Sequence, residues 1–271
     1  MKTLLIALGC IALTVPLRAD DALAKAAAGV REVVGHRGSS ADRPENTLAS
    51  FRRAIEARAN LVEVDVRTTK NGALVCSHDA DVARATNGKG LVKDLTLAEI
   101  RQLDAGTKFD ARFASERVPT FGEVLELCQG KVAVLIDLKE TGEEYAAKIA
   151  AEVRAKGDPK TVVIGVRSVE QVKQFRKLLP GSRQIGLIPT VKDIEAFAAE
   201  GVTMIRLWPR WLTDASLVPS VRKRGLAIHI GAGLGTRDEV VPLLAHAPES
   251  LSSDDPARLL ATLRDLAGTR P

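Results

Sequence analysis

The sequence predicts an α/β fold: a single (β/α)8 (TIM-type) barrel with a loop and hairpin excursion after the second strand. Three observations point there. Eight strand-like runs recur along the chain, helix-start signals stand between most of them, and no Gly/Ser/Pro-rich linker divides the sequence. Eight strands with intervening helices in roughly 240 residues fit a closed barrel, with a doubly wound open sheet as the runner-up.

The strands are expected at residues 33–35, 61–66, 132–138, 162–166, 184–188, 203–207, 227–230 and 249–253. The stretch RPENT, residues 43–47, starts the first helix. Later starts read as capping boxes: Thr96 with Glu99, Thr120 with Glu123, Ser168 with Gln171, Thr190 with Asp193, and Thr236 with Glu239. In each, the first side chain accepts from the third helical N–H and the later one reaches back. Gly201 and Gly225 stand where two helices should stop. Residues 79–119 break the alternation, and an excursion of that length is usually a lid or binding loop with structure of its own.

The front end is built differently. Lys2 precedes an uncharged apolar run over residues 4–17, and small residues follow near Ala19, which reads as a secretory signal peptide over residues 1–19. Residues 20–271 then form the barrel domain, exported to the periplasm or secreted, with no stable membrane anchor after cleavage. Removing the leader takes away Lys2 and Arg18 and lowers the net charge from +5 to +3. That charge is too small and too scattered to argue for nucleic acid. Aromatics are only 3% of the chain, so Ala, Val, Leu and Ile must build the core. An oxidising compartment would permit a bridge between Cys76 and Cys128, but both sit among apolar neighbours, as buried cysteines do, and they lack metal-ligand spacing.

Chemistry concentrates at the predicted strand ends. Glu63 and Asp65 are two apart in a strand, so both carboxylates face one side. Paired inward anions need a cation, and oxygen ligands suit Mg²⁺ or Ca²⁺; a solvated strand face is the bland alternative. Asn71-Gly72 signals a two-residue hairpin. Pairing Lys70 with Ala73 would bring His78 opposite Asp65. Asp137 and Lys139 share a side by the same spacing, either as a third carboxylate with an anion-holding lysine or as an ordinary rim ion pair. His36 and Arg37 lie between Gly35 and Gly38 directly after the first strand. In a (β/α)8 barrel the C-terminal strand ends carry the active site, so this set describes metal-assisted phosphoryl chemistry at one mouth.

Ordered motifs then add a resemblance. His36-Arg37-Gly38, Pro44-Glu45-Asn46-Thr47, Glu63-x-Asp65-Val66, Thr69-x-Asn71-Gly72 and His78-Asp79 resemble the glycerophosphodiester phosphodiesterase family. Leu103-Asp104-Ala105-Gly106, Val118-Pro119-Thr120 and Ser253-Asp254-Asp255-Pro256 continue it across nearly the whole mature chain. The resemblance implies hydrolysis of a small-molecule glycerophosphodiester to glycerol 3-phosphate and an alcohol. It implies one divalent cation on Glu63, Asp65 and Asp137, acid–base catalysis by His36 and His78, and phosphate contacts from Arg37 and Lys139. Glu45 would support His36 or Arg37. It leaves room for a lysophospholipid- or inositol-lipid-directed phosphodiesterase, or for a silent ligand-binding barrel. A monomer or small homo-oligomer is expected.

The chain departs from that family in two places. Asp137 stands where the family usually has a glutamate, and Ile228-His229-Ile230-Gly231 replaces a tryptophan-bearing motif. His229 could line the substrate wall or be a rim residue. Trp208 and Trp211 could replace the wall or pack a helix, and Arg167 would add positive charge at the mouth.

Overall fold

The computed structural model describes residues 19–268, so the expected leader lies outside the described residues except for Ala19. In chain order the elements are α1 (Ala19–Gly29), β1 (Glu32–Gly35), α2 (Leu48–Glu56), β2 (Leu61–Thr68), β3 (Leu74–Cys76), α3 (Leu97–Ile100) and α4 (Phe121–Cys128). They continue with β4 (Ala133–Leu138), α5 (Glu143–Lys156), β5 (Val162–Val166), α6 (Val169–Leu178), β6 (Arg183–Gly186) and α7 (Ile194–Ala199). The last are β7 (Met204–Leu207), α8 (Leu217–Lys223), β8 (Ala227–Gly231), α9 (Arg237–Leu244), β9 (Ser250–Ser253) and α10 (Pro256–Leu266). The eight predicted strands lie within two residues of their expected ends.

The sheet runs β1-β9-β8-β7-β6-β5-β4-β2-β3, and an additional β1–β2 pairing closes it. Every neighbour pairing is parallel except β2 with β3, so eight strands make the barrel and β3 hangs outside the ring. Strand alternation divides the apolar residues between two cores. Val62, Val64, Val66, Ile136 and Ile164 face the helices, where they join Phe51, Phe121, Ile149 and Phe175. Val34, Leu61, Leu135, Val163, Ile185 and Leu187 fill the barrel floor. The next residues in the inward phase, toward the C-terminal ends, are polar: His36, Glu63, Asp65, Asp137 and Arg206. The fold thus places an apolar plug below a charged mouth.

Local chemistry explains the element starts. Thr47 caps α2 by accepting from Ser50 N, and Thr96, Thr120 and Thr236 close full capping boxes. Ser168 accepts from Gln171 N, but Gln171 Oε1 accepts from Arg167 N at 2.7 Å, one residue ahead of the cap. Thr190 N donates to Asp193 Oδ2 at 2.9 Å and opens a short 3₁₀ turn before α7. Helix α1 precedes the first strand and is not among the expected elements. That helix lies against α9 and α10 and buries Ala27.

The hairpin corrects the predicted register. Thr69 N donates to Ala73 O at 2.9 Å, and the ladder continues through Thr68–Leu74, Arg67–Val75 and Val66–Cys76. The loop therefore has three residues, Lys70 to Gly72, with Gly72 at φ +84°, rather than two. Asp65 accordingly faces Ser77, whose N–H it accepts at 3.0 Å, and not His78. The cause is tertiary. Lys70 N donates to Leu95 O at 2.8 Å and Asn71 Oδ1 accepts from Leu97 N at 3.0 Å, so the excursion holds both turn residues.

Residues 79–119 carry α3, two 3₁₀ turns and a small core of their own, Val82, Val92, Ile100, Ala105 and Val118 around Val75 of β3. Cys76 and Cys128 are both buried and unpaired. Among the described residues no helix is long and apolar enough to cross a membrane.

Candidate active site

Glu63 and Asp65 come from β2 and Asp137 from β4, where Asp65 and Asp137 are paired in register. All three are buried, and one oxygen from each lies within 4.8 Å of the others. Crowding anions out of water raises the cost of ionisation. Burial, with the charge of Asp65, pushes Glu63 up to about 7. Burial opposes ionisation of Asp65 as well, but Lys139, Asn46 and Arg37 outweigh it and hold that carboxyl below its usual range.

The partners are specific. Asn46 Nδ2 donates to Asp65 Oδ2 at 2.7 Å, and Asn46 Oδ1 accepts from Asp65 N at 3.2 Å. Lys139 Nζ lies 2.8 Å from Asp65 Oδ1 and 2.6 Å from Asp137 Oδ2. Arg167 Nη2 reaches both oxygens of Asp137, at 2.7 and 2.8 Å. Asp65 Oδ1 is completely buried, with the Lys139 ammonium as its close partner. Three buried carboxylates, with no sulfur or nitrogen ligand atom among them, fit a hard divalent cation, which would compete with Lys139 for their oxygens.

The β1 end explains the GHRG stretch. Arg37 takes the left-handed conformation, φ 56°, which costs a non-glycine residue of order 1–3 kcal/mol. Glu63 Oε2 accepts the Arg37 N–H at 2.9 Å, and the Arg37 carbonyl accepts from Ser50 Oγ at 2.8 Å and Asn46 N at 3.0 Å. Gly38 follows at φ +89°, so close to α2 that a Cβ would lie 2.3 Å from Ser50 Oγ. The second glycine admits the turn and Glu63 holds it.

His36 Nδ1 lies 2.7 Å from Asp254 Oδ1. Burial lowers the imidazole pKa, but the Asp254 hydrogen bond and the charge of Glu63 more than offset it, and the value is raised. His78 Nδ1 lies 2.7 Å from Asp79 Oδ1, and its carbonyl accepts from Arg67. Asp79 is depressed to about 2, chiefly by the Arg84 hydrogen bond. Glu45 accepts from Arg37 at 3.1 Å and from Arg84 at 2.7 Å, so it supports Arg37 and ties the excursion to the first loop.

One open cavity of about 480 Å³ gathers His36, Arg37, His78, Asp137 and Lys139, together with Arg67, Arg167, Arg206 and Trp208. His78 reaches it from the bend after β3, not through the ladder. A second cavity, about 280 Å³, opens at the opposite end of the barrel beside Arg31, Glu32 and Arg183, and of the candidate residues only His229 lines it.

Chain order hid several participants. Asp254 follows β9, which neighbours β1 only because the barrel closes; the Ser253-Asp254-Asp255-Pro256 motif was its one signal. Arg206 could have been found from alternation, since Ile205 and Leu207 face the helices. The two tryptophans divide: Trp208 lines the cavity, whereas Trp211 packs against the helix-facing core. His229 does not line the charged cavity but lies beside the opposite one. It is buried in the barrel with Nδ1 2.8 Å from Ser250 Oγ, and burial, then Arg206, then His36, press it down to about 3.

Residues 36–229 match the model of the glycerophosphoryl diester phosphodiesterase family. The chain belongs to that family. It is 34% identical to a glycerophosphodiester phosphodiesterase of Caldanaerobacter subterraneus over 238 residues, covering 86% of this chain and 97% of the relative. A crystal structure of the Agrobacterium tumefaciens glycerophosphodiester phosphodiesterase superposes with a TM-score of 0.75 at 29% identity, covering 86% of this chain and all of that one. The fold also matches an Oleispira antarctica phosphodiesterase, TM-score 0.78 at 23% identity over 88% and 98% of the two chains. This phosphodiesterase therefore carries its charged mouth on the barrel architecture of its relatives.

Proposed function

We propose that the enzyme hydrolyses glycerophosphodiesters to glycerol 3-phosphate and an alcohol, with His36 and His78 moving protons and a Mg²⁺ or Ca²⁺ ion on Glu63, Asp65 and Asp137. The observation that carries this reading is convergence: both histidines open on one cavity with Arg37 and Lys139, above three buried carboxylates. A bound cation would offset charge on the phosphoryl oxygens.

The chain's own groups suit the remaining work. With Nδ1 of each histidine held by a carboxylate, Nε2 is the ring nitrogen left for proton transfer. One imidazole takes the proton of the glycerol 2-hydroxyl as that oxygen attacks phosphorus, and the other protonates the departing alcohol oxygen. Water then opens the cyclic phosphate at the 2-oxygen with the roles reversed. The internal nucleophile gains from being held in place. Arg37 and Lys139 supply charge to the anionic ester, and Arg37 is preset by Glu45 and Glu63. The leader at residues 1–19 supports export to the periplasm or medium.

The test is glycerol 3-phosphate release by the purified mature chain with Mg²⁺ or Ca²⁺, compared with EDTA and with His36→Ala. Release that needs both metal and His36 is expected. Release unaffected by either, or none from a folded, metal-supplied protein, would overturn the reading.

A further inference from the structure

Five side-chain cations line the cavity: Arg37, Arg67, Lys139, Arg167 and Arg206. Four are committed. Arg37 pairs with Glu45, Lys139 with Asp65 and Asp137, Arg167 with Asp137, and Arg67 donates to the His78 carbonyl. Arg206 has no hydrogen-bond or ion-pair partner among the described residues, and its Nε is buried without an acceptor. Its guanidinium carbon sits 4.1 Å from the Trp208 ring centroid, a stacked pose that leaves the in-plane N–H donors unused. Arg206 is half-buried at the open cavity, where the charges of Glu63, Asp137 and Asp65 reach it without any of them pairing with it, so its N–H donors are available to a ligand.

Position limits what that ligand is. Arg206 and Trp208 come from the β7 end, which is separated from β4 by β5 and β6 and from β2 by β8, β9 and β1. Their strand lies across the barrel from those that carry the carboxylates, although the inward Arg206 side chain still feels the charge of Glu63, Asp137 and Asp65. A phosphodiester lying over the carboxylates brings one negative charge, and Arg37 and Lys139 already flank that position. The glycerol half carries only hydroxyls, so an anion that reaches Arg206 belongs to the alcohol half.

We propose that Arg206, stacked on Trp208, is a specificity-determining residue that binds a second anionic group, a phosphate or carboxylate, on the alcohol of the diester. This rests on the phosphodiesterase reading of the site. It makes the favoured substrates glycerophosphodiesters whose alcohol is itself negatively charged.

Wild type, Arg206→Gln and Arg206→Lys are compared on glycerophosphoinositol 4-phosphate, glycerophosphoserine, glycerophosphoglycerol and glycerophosphocholine, with metal present. The wild type should favour the phosphate-bearing diester over the neutral one in kcat/KM, and the serine ester reports whether a carboxylate suffices. Arg206→Gln should lower that preference about ten- to hundredfold, mainly through KM, and Arg206→Lys should restore part of it. Equal loss on every diester would place Arg206 on the shared glycerophosphate and overturn the proposal, as would an unchanged preference. Equilibrium binding of inositol 4-phosphate separates the two readings. Should no diester be cleaved, the phosphodiesterase reading fails, while binding by wild type but not by Arg206→Gln still supports the anion site. Equal binding, or none, rejects it.

Discussion

His36 Nδ1 and Asp254 Oδ1 are 2.7 Å apart and 218 residues apart in sequence. Barrel closure brings them together, because β9 pairs with β1 and His36 N donates to Ser253 O at 2.9 Å. The first and last strands of the barrel thus jointly build one candidate acid–base group.

Asp254→Ala should therefore lower the pKa of His36, since burial, which depresses it, would no longer be opposed by the hydrogen bond. The pH–rate limb belonging to His36 should move to lower pH, with a loss in kcat/KM of about ten- to hundredfold. Asp254→Asn, which keeps an acceptor but not the charge, should fall between. A profile that does not move would remove Asp254 from the catalytic chemistry.

Metal-free stability should fall as pH rises from about 6.5 to 8, above the range in which buried His229, pressed down to about 3, gains stability with rising pH and opposes the change. Glu63 is lifted from 4.5 to about 7, so the fold holds an extra proton in that window and loses stability as it is released. His36, also raised, acts in the same direction as pH rises through its folded value. A cation on the carboxylates favours the ionised form, so added Ca²⁺ or Mg²⁺ should raise Tm more at pH 8 than at pH 5. Scanning fluorimetry checks this, and an equal gain at both pH values would count against Glu63 as a ligand.

Gly38→Ala should destabilise the protein by about 3 kcal/mol or more, because the new Cβ meets the Ser50 backbone at 2.6 Å in a left-handed turn. Urea unfolding measures it. A cost below about 1 kcal/mol would show that α2 can give way.

Ile100→Ala should cost about 2–4 kcal/mol, but locally. Ile100 is fully buried in the small core of residues 79–119, separate from the barrel's two cores. Hydrogen exchange should accelerate across the excursion while the barrel strands stay protected. Uniform acceleration would mean that the two parts unfold together.

Much of this was legible in one dimension. Strand runs, capping pairs and the spacing of Glu63 with Asp65 are local signals, so alternation and the helix N–H pattern placed the eight strands and the inward carboxylates correctly. The order of motifs from His36 to Asp255 pointed to the family. The hairpin register was not legible. Asn71-Gly72 favours a two-residue turn by itself, but Leu95 and Leu97 from a later segment claim the turn's hydrogen bonds and lengthen the loop by one residue. Nor could chain order reveal which cations stay free: Arg37, Lys139 and Arg167 find carboxylates and Arg206 does not. Sequence by itself determined the elements, their inward faces and the chemical types at the mouth, because these depend on neighbours along the chain. Only the tertiary structure decided who pairs with whom, because closure of the barrel sets distances between groups that the chain keeps far apart.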